Sequence, residues 1–168
     1  EEANRLFPDL GKPIAAASLA QVHRMETASG PLAVKILRPG IEGQLLRELS
    51  AMKRAARMVE GVSVESRRLK PVAFTETISA AMMRETDLRL EAGGADEMRA
   101  LSEKSGYFQV PPVDWDRTGR RVLTTGWVEG IPLTHPDALA NPAIDRVALA
   151  NDITRGFLTH AIEHGVFH

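Results

Sequence analysis

Residues 13–37, PIAAASLAQVHRMETASGPLAVKIL, decide the fold of this chain. Residues 13–18 lead into an alternating segment at 21–25, and the turn-type cluster Ala28-Ser29-Gly30 precedes a β-branched alternation at 32–37. Pro39-Gly40 follows and should end the last strand, because proline cannot donate a hydrogen bond to a sheet. The stretch therefore predicts a small antiparallel meander.

Helical spacing follows the meander. Apolar residues recur at helical intervals from Ile41 to Val59, with basic residues on the opposite side. Residues 61–70 are polar and should connect to a second helix, for which Pro71 suits the first turn. The Ala-, Met-, Leu- and Glu-rich residues 72–101 predict one long helix, with Gly93-Gly94 as the place for a kink.

Strand patterns return later in the chain. Phe108-Gln109-Val110 and residues 121–125 predict two further strands, and residues 144–164 predict a last helix closed by Gly165. This order of strands and helices is typical of the first half of a two-lobed α+β protein, with about five antiparallel strands in its sheet.

Composition excludes several classes of function. The chain has 168 residues, 43% hydrophobic and 26% charged, which is ordinary for a globular protein. It has no Cys, which excludes disulfide frameworks, thiol catalysis and cysteine-based zinc sites. A net charge of −1 argues against a nucleic-acid partner, and no stretch approaches the ~18 apolar residues of a membrane span. Because the chain opens on Glu1 rather than Met and stops at His168, we expect it to be a piece of a longer protein.

Residues 15–22 have the spacing of the phosphate-covering loop of kinases, Gly-x-Gly-x-x-Gly-x-Val, with alanine at every glycine position. Small residues there let backbone N–H groups approach phosphate oxygens. The pattern is weak by itself, because alanine is also the strongest helix former. It is strengthened by Leu32-Ala33-Val34-Lys35, which matches the Val-Ala-Ile-Lys pattern whose lysine holds the α- and β-phosphates.

A lysine of this kind pairs with an acidic side chain on a helix. Residues 84–92, RETDLRLEA, offer three candidates. Asp87 and Glu91 are four residues apart and share a helix face, whereas Glu85 points about 200° away from Asp87. A solvated helix surface is the alternative, but the apolar residues 80–83 favour a helix that is largely covered.

Four segments together resemble one family: AAASLAQVH at residues 15–23, LAVKILRPG at 32–40, ETDLRLEA at 85–92 and LTTGWVEGIPL at 123–133. They are similar to the UbiB/AarF family of atypical protein-kinase-like proteins, which is associated with ubiquinone biosynthesis. The resemblance runs from about Leu6 to His168 and implies a partial kinase-like domain over residues 1–168. Its N-lobe would span residues 11–133 with a helical insert at 41–104, and residues 134–168 would begin the C-lobe.

The resemblance also implies roles for individual residues. Lys35 would anchor ATP or ADP, Glu91 would orient Lys35, and Glu85 with Asp87 would form the family's Glu-x-Asp signature, which gates or occupies the site. The alanine-rich loop would cover the phosphates, and backbone groups of the hinge would bind the adenine edge. The implied nucleotide-binding set is Ala15, Ala16, Ala17, Ser18, Ala20, Gln21, Val22, Ala33, Lys35, Gly126 and Val128.

Three features depart from the family pattern. Gly126 stands where an acidic residue is usual, so the hinge contact would rest on the backbone alone. The Lys-x-Gly-Gln signature is missing, since Gly43-Gln44 lacks the lysine. His168 corresponds to the histidine two residues before the catalytic Asp, so the Mg²⁺ ligands would follow it and the chain alone should be inactive.

The implied function is that of an ATP-dependent kinase or ATPase, a transferase-class protein that supports ubiquinone biosynthesis. The alternative is a non-catalytic pseudokinase scaffold of the same pathway. The expected partners are a nucleotide, with Mg²⁺ in the intact protein, other ubiquinone-biosynthesis proteins and an anionic membrane surface. The expected location is the cytoplasm or the periphery of a bacterial inner membrane. The residues that would meet that membrane form a basic cluster, for which ordinary solvated surface charge is the default interpretation. The cluster consists of Lys53, Arg54, Arg57, Arg67, Arg68 and Lys70.

A competing pattern lies near the end of the chain. His160-Ala161-Ile162-Glu163-His164 matches the His-x-x-Glu-His pattern of inverted zinc proteases, in which two histidines bind Zn²⁺ and the glutamate activates water. Short patterns of this kind match by chance, no third ligand is evident, and Gly165 ends the helix at once. A zinc protease is therefore strongly disfavoured.

Overall fold

The computed structural model describes residues 5–8, 10–62 and 64–166. These residues contain a four-stranded antiparallel sheet in which the strands are neighbours in chain order. Gly30 closes the tight turn between the second and third strands with a φ of 120°, a conformation that glycine adopts readily and other residues rarely adopt. The predicted meander and α+β fold are confirmed. The strands are β1 (Ala15–Ala16), β2 (Ala20–Thr27), β3 (Gly30–Leu37) and β4 (Val122–Gly126).

Helices fill the two long intervals around β4. The segments are α1 (Ile41–Val62), α2 (Val64–Arg68), α3 (Pro71–Arg84), α4 (Leu88–Ser105) and α5 (Arg146–Leu158), with a 3-10 turn at Trp115–Arg117 and a π-helical turn at Thr159–Glu163. The Lys53 ammonium contacts the Glu76 carboxylate, while the Glu60 carboxylate accepts a hydrogen bond from the Val72 N–H at 3.0 Å. These two contacts show that α1 and α3 form an antiparallel hairpin.

The core lies between the sheet and α4. Leu88 and Ala92 of α4 are buried with Ala20 of β2, Leu37 of β3 and Leu123 of β4. Burying one aliphatic side chain stabilises a fold by about 1.5–3 kcal/mol. The cluster therefore fixes the helix against the sheet. Glu91 lies three residues after Leu88, so it is on the same side of α4.

The prediction of one continuous helix over residues 72–101 is wrong. α3 ends at Arg84, α4 begins at Leu88, and Gly93-Gly94 lie inside α4. Asp87 is extended, with φ and ψ of −119° and 92°, and its carboxylate accepts a hydrogen bond from the Arg89 N–H. A short acidic side chain bonded in this way competes with helix continuation and caps the next helix.

The predicted strand Phe108-Gln109-Val110 is also wrong. Val113 instead forms an isolated bridge with Thr125. Pro111 and Pro112 precede that bridge, and because neither has an N–H they cannot extend a ladder. The described residues accordingly form four strands rather than about five.

Smaller differences concern segment ends. The polar residues 61–70 include the end of α1 and the short helix α2 rather than a plain connector. The last helix begins at Arg146 and changes to the π-helical turn at Thr159. Gly165 has a φ of 68°, and the chain leaves the helix there as predicted.

Candidate functional site

Lys35 and Glu91 form an ion pair between the sheet and α4. Lys35 lies in the middle of β3, opposite Val22 of β2 and Leu123 of β4. Its Nζ donates to both carboxylate oxygens of Glu91 at 2.7 Å. The two side chains are 30% and 28% exposed. This places a lysine, held by an acid, on the central strand at a half-buried position that solvent and a ligand can reach.

The start of α4 is fixed by two contacts outside its own helical bonds. The Leu88 N–H donates to the carbonyl oxygen of Arg120 at 2.9 Å. The guanidinium of Arg89 donates to both carboxylate oxygens of Asp87, at 2.9 and 2.6 Å. Hydrogen bonding to Arg89 lowers the pKa of Asp87 to about 2, so this carboxylate stays ionised. Asp87 therefore caps the helix that carries Glu91.

Glu91 also lines a cavity of about 610 Å³. Its walls come from α3, α4 and the residues between them, and they include Glu85, Asp87, Glu91 and Glu97 together with Arg84. The structure thus brings the two residues of the Glu-x-Asp pair next to Glu91. The alanine-rich loop and the hinge do not form part of this wall.

The alanine-rich loop is a tight turn between β1 and β2. Ala15 pairs with Val22, and Ala16 pairs with Gln21. The Ala17 N–H donates to the Ala20 carbonyl at 2.9 Å and closes the turn. Residues 15–18 are exposed, which leaves them accessible to a ligand.

Ala20 differs from the other loop alanines. It is only 1% exposed and belongs to the core cluster with Leu37. A larger side chain would have to displace that cluster, because protein interiors are close-packed. Packing alone thus explains why a small residue stands in the last glycine position of the kinase loop pattern.

The hinge offers few free backbone groups. The Gly126 N–H donates to the Pro112 carbonyl at 2.9 Å, and the Trp127 N–H donates to the Pro31 carbonyl at 3.1 Å. A Cβ at Gly126 would lie 3.2 Å from Cδ of Pro112, so close packing favours glycine over the acidic residue that the resemblance leads one to expect. Val128 is 57% exposed and follows directly.

In the histidine-rich segment, His160 is buried, whereas Glu163 and His164 are exposed. His160 is 1% exposed, and its Nε2 lies 3.2 Å from Oγ of Ser105. The π-helical turn at Thr159–Glu163 sets the rings of His160 and His164 6.3 Å apart. Across residues 5–8, 10–62 and 64–166, no group of three or more His, Cys, Asp or Glu is arranged to hold a metal ion. His168 lies outside the described residues.

Two contacts at the site were not predicted. The Arg38 guanidinium donates to the carbonyl oxygen of Ala17 at 3.1 Å, and the Arg120 carbonyl accepts from the start of α4. Both join residues far apart in sequence, so hydrophobic periodicity carries no signal for them. The arginine after a strand could have been noted as a candidate cation, but its target could not.

Comparisons with known proteins point to one family. The ABC1 atypical kinase-like domain matches residues 1–168. A probable protein kinase UbiB of Cellvibrio japonicus strain Ueda107 is 34% identical over 158 residues, 94% of this chain and 29% of that protein. A probable protein kinase UbiB of Marinobacter nauticus is 34% identical over 157 residues, 93% of this chain and 29% of that protein. Another, from Pseudomonas aeruginosa strain LESB58, is 35% identical over 158 residues, 94% of this chain and 30% of that protein. The chain thus spans less than a third of the length of these curated relatives. It belongs to the family of ABC1 atypical kinase-like domains.

Proposed function

We propose that this chain is the nucleotide-binding lobe of an atypical kinase or ATPase that acts in ubiquinone biosynthesis. The observation that carries the proposal is the Lys35–Glu91 pair, with 2.7 Å from Nζ to each carboxylate oxygen. A lysine held in this way presents a fixed positive charge to the α- and β-phosphates of ATP or ADP. Residues 11–133 would form the N-lobe, with an insert at 41–104, and residues 134–168 would begin the C-lobe.

The loop and the hinge support the same ligand. The exposed residues 15–18 lie on the strand pair next to Lys35 and would cover the phosphates. At the hinge, the Gly126 N–H is already bonded to Pro112, so its carbonyl and the Val128 N–H are the groups proposed to bind the adenine edge. Pro112 has no N–H of its own to donate back to that carbonyl. Glu85 and Asp87 would act from the cavity beside Glu91.

The choice between an enzyme and a scaffold depends on residues that we propose to follow His168. In-line phosphoryl transfer requires a catalytic Asp and Mg²⁺ ligands, and we propose them for the whole protein because the curated relatives are more than three times as long as the matched region. The alternative is a pseudokinase that binds nucleotide and organises other ubiquinone-biosynthesis proteins.

Measuring both binding and turnover in the full-length protein separates these possibilities. Binding of a fluorescent ADP analogue and hydrolysis of ATP would be measured with and without Mg²⁺, for the wild type and for Lys35→Ala. Binding and Mg²⁺-dependent turnover that both require Lys35 would support the enzyme. Binding without turnover would support the scaffold, and the absence of binding in the wild type would refute nucleotide binding.

We further propose that the tip of the α1–α3 hairpin contacts an anionic membrane surface. Val62, Val64 and Leu69 are 84%, 76% and 72% exposed there. No helix within the described residues is long and apolar enough to cross a bilayer. Exposed apolar side chains among cations are typical of peripheral membrane contacts. Arg67, Arg68 and Lys70 are exposed at this tip, and Arg54 and Arg57 are exposed on the part of α1 that leads to it.

Vesicle sedimentation tests this surface. The protein should bind vesicles that contain phosphatidylglycerol and not vesicles of phosphatidylcholine alone. Replacing Arg67 and Arg68 with Gln together with Leu69→Ser should weaken binding, whereas Lys104→Gln on α4 should not. Equal binding by both variants would exclude the hairpin tip as the contact.

A further inference from the structure

Arg38 connects the alanine-rich turn to the rest of the N-lobe. It follows the last residue of β3, and its Nη2 donates to the Ala17 carbonyl at 3.1 Å. Its backbone N–H donates to the Leu19 carbonyl at 2.9 Å. One residue thus holds two positions of the turn at residues 17–20, once through its side chain and once through its backbone.

A second arginine supports Arg38 from the other side. Arg121 directly precedes β4; its Nη2 lies 3.4 Å from the Arg38 carbonyl, and its Nη1 pairs with the Glu42 carboxylate at 2.7 Å. The turn is therefore tied through Arg38 to β4 and to α1. Among the described residues, the Ala17 carbonyl is the hydrogen-bond acceptor of the Arg38 guanidinium, and the Nε of that guanidinium is buried without a partner.

The backbone of the turn has ordinary conformations. Within the described residues, Lys70 is the one non-glycine residue with positive φ, so the alanines of the turn keep ordinary negative φ. The residues at the tip, Ser18 and Leu19, are an exposed and a half-buried side chain. A turn of this kind is closed by one backbone bond, from the Ala17 N–H to the Ala20 carbonyl, and the arginine adds a charged donor to it.

We propose that Arg38 is a positioning residue that holds the alanine-rich turn in a fixed place relative to Lys35, the residue proposed to bind the phosphates. The inference rests on the proposed nucleotide binding for its functional consequence, but the anchoring itself does not require a nucleotide. Glycine-rich loops reach their ligand through backbone freedom. Here the pose of the turn is set in advance by a side chain from the strand that also carries the phosphate-binding lysine.

Two readouts on the full-length protein test the proposal. The first is amide hydrogen exchange of residues 16–21 without nucleotide, and the second is the dissociation constant of ADP. Arg38→Gln should speed amide exchange in the turn about fivefold and raise the dissociation constant of ADP by a similar factor. The melting temperature should stay close to that of the wild type. Arg38→Lys, which keeps a cationic donor, should recover part of both effects.

Arg47→Gln on the exposed side of α1 is the matched control and should leave both readouts unchanged. Unchanged exchange in Arg38→Gln would overturn the anchor. Faster exchange with unaltered ADP affinity would overturn the positioning role. If the wild type itself binds no ADP, the proposed function fails, and the exchange measurement still decides whether Arg38 anchors the turn.

Discussion

The Lys35–Glu91 pair should stabilise the fold by more than an ordinary surface ion pair. Opposite unit charges 4 Å apart attract by about 4 kcal/mol at an effective dielectric constant of about 20, before desolvation and side-chain ordering are subtracted. Fully exposed pairs contribute about 0–1 kcal/mol, and breaking a buried pair costs about 3–5 kcal/mol. With side chains 30% and 28% exposed, Lys35 and Glu91 lie between these limits. We expect a coupling energy of about 1–2 kcal/mol.

A double-mutant cycle measures this coupling energy. The wild type, Lys35→Met, Glu91→Gln and the double variant would be unfolded in urea without nucleotide. The matched control is the Arg99–Glu103 pair on the same helix, with side chains 36% and 63% exposed. Pairs of that kind are worth about 0.3–0.5 kcal/mol. A Lys35–Glu91 coupling no larger than that of the control would refute the reasoning.

Three further variants test the packing and the helix cap. A Cβ on Gly156 would lie 2.6 Å from Cζ of Phe108, so Gly156→Ala should destabilise the protein by about 1–2 kcal/mol, whereas Gly93→Ala, with open space around it, should stabilise by about 0.5–1 kcal/mol in urea unfolding. Midpoints that move in the same direction would contradict this. Arg89 lowers the pKa of Asp87 from 3.8 to about 2, so the ionised carboxylate stabilises the fold above pH 3.8 and this contribution is lost as the pH falls through about 2. Asp87→Asn should therefore melt at a lower temperature than the wild type at pH 7, and the gap should narrow between pH 4 and pH 2; a constant gap would contradict the assignment.

Much of the fold follows from local patterns. The β2–β3 hairpin was predictable because β-branched alternation and the turn at Ala28-Ser29-Gly30 act over a few residues. The spacing that placed Glu91 on a helix face was equally local, and α4 presents it to Lys35. Such features survive tertiary packing because the core pattern and the backbone preference agree.

The rest depended on contacts between distant residues. The helix breaks before α4 because Asp87 caps a new helix instead of continuing the previous one. The Leu88 N–H is bonded to the backbone carbonyl of Arg120, a contact that no side chain in the sequence indicates. The strand expected at residues 108–110 fails because Pro111 and Pro112 come next. The anchor between Arg38 and Ala17 spans 21 residues and joins a side chain to a backbone group, which no sequence spacing predicts.

The most direct test of nucleotide binding is the dissociation constant of ADP measured by titration calorimetry on the full-length protein. Lys35→Ala should weaken ADP at least about tenfold, because it removes a charged donor from the phosphates. Lys53→Ala, which removes a lysine that pairs with Glu76 in the α1–α3 hairpin, should change the affinity by less than about twofold. Equal affinities for the wild type and Lys35→Ala would contradict the claim that this strand lysine holds the nucleotide.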